Sequence, residues 1–300
     1  MVERVWRPGT ALDIALTMSP HRHGGGDPTW RREADGAVWR TSRTPAGPGT
    51  MRVSVSAAEG AVEGRAWGPG AEWMLDTLPA LLGVDDDRSG FTPRHGVLIE
   101  ADRRHAGLRI GRSQRAFEAL VPAVLEQKVV GREAWRAWRW LLAKYGERAP
   151  GPGDEQLRVF PPPEVWRSIP SWDWHRAGVE GVRAKAIVNA ALHADKLEAA
   201  PDSAETDRLL RLLPGIGVWT SAETRQRALG DPDAVSVGDY HLPSVVGWAL
   251  TGEKTDDAGM LRLLMPYAGH RYRVTRLLAL SGNRPPARGP RMAVRDYRSF

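Results

Sequence analysis

The segment Leu213-Pro214-Gly215-Ile216-Gly217 constrains the fold most, because it ends one helical pattern and is followed directly by another. Leucines at 209, 210 and 212 precede it, and a helical pattern over residues 222–229 follows it. The first N–H groups of a helix have no partner within the helix and are aligned with its dipole, so such a turn can bind a phosphate through the main chain alone. Taken alone, a Gly-x-Gly turn is equally typical of a plain connection between two helices.

The remaining pattern divides the chain into two pieces. Short β segments are predicted at 29–33, 37–41 and 51–55, and a helix at 72–82, whereas almost everything after residue 94 has helical spacing. Ser113 is the predicted cap of one of these helices, and a break is predicted at Val130-Gly131. We therefore expect a mainly α protein with an N-terminal α+β domain at 1–93, a helical region at 94–282 and a basic tail at 283–300.

Charge and cysteine content restrict the chemistry. The chain carries 42 Lys plus Arg against 36 Asp plus Glu, a formal net charge of +6. Residues 1–93 carry a net −2 and residues 94–300 a net +8, so a polyanion is expected to bind the second piece. The chain has no cysteine, which excludes thiol catalysis, disulfides, cysteine-ligated zinc and cysteine-held iron–sulfur clusters.

Other features leave alternatives open. The tail holds five arginines and is either a solvated end or a nucleic-acid contact; they are Arg284, Arg288, Arg291, Arg295 and Arg298. His21 and His23 beside three glycines are expected in an exposed loop rather than at a metal site. No apolar run has the length of a membrane span and the N-terminus makes a poor signal peptide, so we expect no membrane contact and a cytoplasmic protein.

The segment around the turn resembles the hairpin of the helix-hairpin-helix DNA glycosylase superfamily. In that family an Asp follows the hairpin after one helix and a short loop, and here Asp239 stands 20 residues after Trp219. Similar segments also occur at 117–129, 183–187 and 266–273, and the resemblance covers roughly residues 94–282. The N-terminal piece is compatible with the extra domain of the alkyl-purine branch, the 3-methyladenine DNA glycosylase II type.

This resemblance implies roles for individual residues. Asp239 would be the catalytic carboxylate, although Asp is also a favoured helix N-cap. The hairpin would contact DNA phosphate through the N–H groups of Gly215, Gly217 and Thr220. Bifunctional members carry a nucleophilic Lys where this chain has Trp219, which cannot form a Schiff base, so a monofunctional enzyme is expected.

The remaining implied roles concern the base, the duplex and an ion. The candidates for an aromatic base pocket are Trp219, Tyr240, Trp248 and Tyr272. Gln127 or Lys128 would fill the gap left by the flipped nucleotide, although Lys128 would more naturally meet a phosphate. The backbone carbonyls of Arg211, Leu213 and Ile216 would hold a possible Na⁺ or K⁺. No cofactor and no iron–sulfur cluster are expected, and the partner is duplex DNA containing a damaged base.

The predicted activity is therefore removal of alkylated purines of the 3-methyladenine or 7-methylguanine type from duplex DNA, leaving an abasic site, by a monomer. A cationic alkylated purine departs easily, and a fixed carboxylate can stabilise the oxocarbenium-like sugar that its departure creates. Two alternatives share these motifs. One is a glycosylase for deaminated or oxidised bases, and the other is a non-catalytic DNA-binding protein in which Asp239 only caps a helix.

Overall fold

The computed structural model describes residues 1–56 and 60–286. Its N-terminal part is built on a five-stranded antiparallel sheet with strand order β1-β5-β4-β3-β2. The strands are β1 Val2–Trp6, β2 Trp30–Arg32, β3 Val38–Thr44, β4 Gly47–Ser56 and β5 Ala61–Trp67. The three β segments predicted at 29–33, 37–41 and 51–55 are thus confirmed as β2, β3 and β4. The sequence reasoning missed the edge strand β1 and its neighbour β5, which pairs with β1 on one side and β4 on the other.

The inner face of the sheet packs against short helices. These are α1 Ile14–Met18, α2 Ala71–Asp76 and α3 Leu78–Leu81, and a 3-10 turn at Ser19–His21 follows α1. The predicted helix at 72–82 is divided at Thr77, just before Pro79. Gly64 of β5 permits the close approach, since a Cβ there would lie 2.8 Å from the side chains of Leu75 and Leu78.

Helices make up most of the rest of the described chain. They are α4 Gly96–Arg104, α5 Ala116–Leu125, α6 Gly131–Tyr145, α7 Pro163–Ser168, α8 Ser171–Ala177, α9 Gly181–Leu192, α10 Ala194–Glu198, α11 Ser203–Arg211, α12 Val218–Ala228, α13 Leu242–Thr251, α14 Asp257–Leu264 and α15 Arg271–Leu280. A two-stranded ribbon, β6 Glu147–Arg148 with β7 Arg158–Val159, follows α6. The mainly α class predicted from the sequence is confirmed.

The helical part contains two separate hydrophobic clusters. One is formed by α5 to α12 around residues such as Leu120, Trp138 and Ile187. The other joins α4 to α13, α14 and α15 around Leu98, Val246 and Leu277. The loop from 229 to 241 connects the two clusters, and it carries Asp239. The fold therefore places this carboxylate at the junction between two packed units.

Two local predictions are wrong. Ser113 does not cap α5; the carboxylate of Glu198 on α10 accepts hydrogen bonds from the N–H groups of Ala116 and Phe117, at 2.8 and 3.0 Å. His21 and His23 are not exposed, with relative exposures of 9% and 8%, because the 3-10 turn and the loop after it are packed against the helical part. Within the described ranges, no helix has the length and apolarity that a membrane crossing requires. Of the predicted tail, residues 287–300 lie outside the described residues.

Candidate active site and nucleic-acid interface

The turn between α11 and α12 forms an exposed hairpin. Gly215 adopts a φ of +86°, a left-handed conformation that favours glycine, and a Cβ there would approach Ala186 to 3.1 Å. Gly217 is the N-cap of α12, and the first helical hydrogen bond in its turn runs from Ser221 N–H to its carbonyl, at 3.0 Å. The N–H groups of residues 218–220 therefore precede the helical ladder and are available to an anion.

Gln127, one residue beyond the C-cap of α5, is hydrogen-bonded to this hairpin. Its side-chain nitrogen donates to the carbonyl of Gly215 at 2.9 Å and to the hydroxyl of Thr220 at 2.8 Å. Thr220 is buried, whereas the two hairpin glycines are exposed. Lys128 is exposed and has a φ of +54°. The structure thus brings both candidate wedge residues next to the hairpin, with Gln127 hydrogen-bonded to it and Lys128 open to solvent.

Asp239 is half-buried, and its two oxygens have different partners. Oδ1 accepts from the N–H groups of His241 and Leu242 at 2.7 and 2.8 Å, at the start of α13. Oδ2 accepts from the indole N–H of Trp219 at 3.1 Å. The carboxylate therefore caps the helix with one oxygen and points the other toward the hairpin helix. Capping and a second function for this side chain are compatible in this geometry.

Further along α12, a line of charged side chains follows Trp219. Arg227 donates through Nη1 to Glu223 Oε2 at 2.6 Å and to the Glu223 carbonyl at 2.8 Å. The hydroxyl of Ser236, in the loop before Asp239, donates to Glu223 Oε1. Burial opposes the charge of Arg227, but the carboxylates of Glu223 and Glu126 raise the pKa of its guanidinium above the ordinary value.

Glu126, the C-cap residue of α5, lies within electrostatic reach of the same group. Burial raises the pKa of its carboxyl; the charges of Glu223 and Asp239 raise it further, and Arg227 opposes them. Three carboxyl groups and one guanidinium are therefore gathered where α5, α12 and the loop before α13 meet. Such gatherings of perturbed groups are common at functional sites.

The four aromatic candidates do not form one wall. Trp219 is next to Asp239, and the buried Tyr272 lies within electrostatic reach of Arg227 and Glu223; burial raises its pKa. Tyr240 is 89% exposed and contacts the His241 ring edge-on. Trp248 is half-buried on α13. The structure therefore brings Trp219 and Tyr272 to the group of charged residues, and it leaves Tyr240 in solvent.

Backbone carbonyls at the hairpin are compatible with a monovalent cation. The carbonyl of Leu213 accepts from the Ile216 N–H at 3.1 Å and keeps a second lone pair. The predicted set of Arg211, Leu213 and Ile216 stays a prediction. Among the described residues, no group of three His, Cys, Asp or Glu is arranged to hold a metal ion.

The N-terminal part packs against the site at Arg227. Nε of Arg227 donates to the Pro20 carbonyl at 2.8 Å, directly before the buried His21. Asp27 accepts from His23 N–H at 2.6 Å, from the N–H and hydroxyl of Thr29 at 2.9 and 2.8 Å, and from the Trp138 indole at 2.9 Å. Burial lowers the pKa of both histidines, that of His23 to about 4.

Sequence reasoning missed Glu126, Glu223 and Arg227. One signal was present, since 219, 223 and 227 are four residues apart and share one face of a helix. That spacing alone is also typical of a solvated ion-pair face. Only the contacts to Ser236 and Pro20, which are distant in sequence, place these side chains in the interior.

Comparison with known proteins supports the same fold. No protein-family model matches the chain. An alignment 170 positions long, which covers 54% of this chain, is 35% identical to a probable bifunctional transcriptional activator/DNA repair enzyme AlkA of Mycobacterium tuberculosis. The match covers 34% of that relative, so the chain spans about a third of the length of the curated relatives it matches.

Solved structures match over nearly the whole chain. The 3-methyladenine DNA glycosylase of Archaeoglobus fulgidus has a TM-score of 0.74 at 17% identity, covering 94% of this chain and 98% of its own. The apo 8-oxoguanine glycosylase/lyase of Clostridium acetobutylicum has a TM-score of 0.72 at 12% identity, covering 94% and 97%. The chain therefore has the fold of the helix-hairpin-helix DNA glycosylases, as the resemblance of its hairpin predicted.

Proposed function

We propose that this protein is a DNA glycosylase of base excision repair that removes alkylated purines from duplex DNA and leaves an abasic site. The observation that carries the proposal is the Asp239 carboxylate, held by two backbone N–H groups and one indole N–H beside an exposed helix hairpin. The similarity to an AlkA repair enzyme and to a 3-methyladenine DNA glycosylase fold supports it.

The hairpin would position the DNA strand. Unpaired N–H groups at the start of α12 bind a phosphate without regard to sequence, and the excess of arginine over acid after residue 94 adds affinity. Asp239 is fixed to the first turn of α13, one helix away from this phosphate site. A nucleotide rotated out of the duplex next to the bound phosphate would bring its sugar toward this carboxylate.

Asp239 would act when the glycosidic bond breaks. The sugar then acquires oxocarbenium character, and a carboxylate already oriented by three hydrogen bonds stabilises that charge without reorganising. The same group can orient the attacking water. An alkylated purine that already carries positive charge needs little protonation to leave, and Trp219 next to Asp239 offers a ring for stacking and cation–π attraction.

We also propose that the protein has no lyase activity and acts as a monomer. Trp219 stands two residues after the second hairpin glycine, where the resemblance implies a lysine in bifunctional members of the superfamily, and its indole cannot form an imine. Borohydride reduction during turnover is therefore expected to trap no covalent protein–DNA complex. A trapped complex would show that another amine attacks the sugar.

The decisive experiment measures single-turnover base release from duplexes with one lesion each. The panel contains 7-methylguanine, 3-methyladenine, hypoxanthine and 8-oxoguanine, and alkali reveals the abasic sites. We expect release of the alkylated purines, and a loss of roughly a hundredfold or more in the Asp239→Asn variant with binding to the lesion duplex retained.

Asp256→Asn is the matched control, because Asp256 caps α14 by accepting from Gly259 N–H at 2.8 Å. Asn caps helices about as well as Asp, so both variants should fold. If Asp239→Asn retains activity as Asp256→Asn does, Asp239 is only a cap and the catalytic assignment fails. Release of hypoxanthine or 8-oxoguanine alone would move the proposal to the deaminated or oxidised bases.

A further inference from the structure

The face of α12 that begins with Trp219 continues inward through Glu223 and Arg227. These residues are four apart, so their side chains project from the same side of the helix. Glu223 lies about 6 Å along the helix axis from Trp219, since an α-helix rises about 1.5 Å per residue. This separation is comparable with the width of a purine. A base stacked on Trp219, with its glycosidic bond at Asp239, would present its far edge at the level of Glu223.

The two charged groups lie at that same level, because Arg227 reaches back to Glu223. The Nη1 nitrogen of Arg227 is 2.6 Å from Glu223 Oε2, and only about a sixth of either side chain is exposed. Each carboxylate oxygen has two acceptor positions, and each here has one donor. Within the described residues, Arg227 donates through Nε and Nη1, and its Nη2 has no hydrogen-bond partner. Acceptors and a donor therefore remain for a ligand.

We propose that Glu223 and Arg227 read the Watson–Crick edge of the extruded base and select a guanine-type purine, one with an oxo group beside a ring N–H. The inference rests on the proposed glycosylase function and names its substrate class more narrowly. Enzymes that extrude a base commonly read this edge through hydrogen bonds. Trp219 would stack on the face of the base, and Glu223 and Arg227 would hydrogen-bond to its edge.

The match follows from counting donors and acceptors. A guanine edge offers one carbonyl acceptor, one ring N–H and one amino group. The guanidinium donates to the carbonyl, and the two carboxylate oxygens accept from the ring N–H and the amino group. An adenine edge offers an amino group and a ring nitrogen without hydrogen, so one carboxylate oxygen would have no donor to accept from.

The surroundings hold the pair in place. Arg227 is fixed at Nε by the Pro20 carbonyl and Glu223 at Oε1 by Ser236, so neither group needs to rotate when a base enters. Crowding of Glu126, Glu223 and Asp239 keeps the site rich in negative charge, and burial together with these neighbours raises the pKa of Glu126. A guanine methylated at its five-membered ring carries positive charge, which this environment favours.

The test uses Glu223→Gln, which keeps the shape of the side chain and removes one acceptor and the charge. Duplex DNA treated with a methylating agent contains both 7-methylguanine and 3-methyladenine, and chromatography measures the release of both from one sample. We expect kcat/KM for 7-methylguanine to fall roughly tenfold or more, with a much smaller fall for 3-methyladenine. The thermal midpoint should fall, because the variant leaves the mostly buried Arg227 without its charged partner, so both rates are measured well below that midpoint and their ratio is the readout. Affinity for abasic-site duplex should match that of the unchanged protein.

The matched control is Glu100→Gln, because Glu100 forms an ion pair with Arg104 at the same four-residue spacing on the exposed face of α4. It should change neither rate. Equal losses for both bases in Glu223→Gln, or no loss for either, would overturn the proposal. If the unchanged protein releases no base at all, the proposed function fails, and the selection argued from it fails as well.

Discussion

The site has two sides, the exposed hairpin side, here called the front, and the side packed against the N-terminal part, here called the back. They differ in whether their polar groups have hydrogen-bond partners. At the front, the hairpin of residues 213–217 leaves main-chain N–H groups unpaired at an exposed surface. At the back, His21, His23 and residues 27–30 are buried, and the Asp27 carboxylate has four hydrogen-bond donors. Groups that must bind a ligand are kept available, and groups that hold the two parts together are satisfied.

This contrast separates stability from chemistry. Changes at the back should lower the free energy of unfolding and leave base release per folded molecule nearly unchanged. Changes at the front should lower base release and leave stability nearly unchanged. The following predictions test this separation, beginning with the largest expected effect.

Asp27→Ala should have the largest effect on stability. It leaves the indole N–H of Trp138 and the N–H groups of His23 and Thr29 without their acceptor in a buried setting. We expect the free energy of unfolding to fall by roughly 3 to 5 kcal/mol, because several bonds to a charged acceptor are lost together. Urea denaturation measures this directly.

Asp35→Ala is the control for that experiment. Asp35 also accepts from a backbone N–H, that of Ala37 at 2.9 Å, but its side chain is 58% exposed. Its removal should cost less than about 1 kcal/mol. A similar loss in both variants would mean that the buried Asp27 contacts are not what joins the two parts.

The second prediction concerns pH. His21 and His23 are neutral in the folded protein, since burial lowers their pKa values, that of His23 to about 4, whereas an unfolded His titrates near 6.5. Between these values the unfolded chain binds more protons, so stability falls as pH falls from about 6.5 to about 4. The loss from His23 alone should approach roughly 3 kcal/mol.

Urea denaturation at pH 7.5, 6 and 5 tests this expectation. Replacing both buried histidines with Gln should flatten the dependence over this range. His193→Gln, at an exposed position just after α9, should leave the dependence unchanged. An unaltered slope in the double variant would show that the acid sensitivity comes from other groups.

The same contrast explains what the sequence could predict. The hairpin depends on local chemistry, because Pro214, Gly215 and Gly217 determine where helices end and begin, and the spacing to Asp239 follows along the chain. The burial of His21 and the contact of Arg227 with Pro20 depend on how distant segments dock. Helical periodicity predicts that Glu223 and Arg227 share one face of α12, but it does not predict which other segments pack on that face. The burial of these charged residues could therefore be seen only in the structure.

The smallest predicted effect lies at the front, in Trp219→Phe. Phe keeps a ring beside Asp239 and removes the indole N–H that donates to Oδ2 at 3.1 Å, so the carboxylate is held by its two backbone bonds alone. We expect the single-turnover rate to fall by about fivefold, which corresponds to about 1 kcal/mol for one hydrogen bond to a half-buried carboxylate. The urea midpoint should stay close to that of the unchanged protein, as it should in Trp172→Phe, where the ring is 64% exposed on α8. If Trp219→Phe instead lost as much stability as Asp27→Ala, the front of the site would also stabilise the fold. The proposed separation of stability at the back from base release at the front would then be wrong.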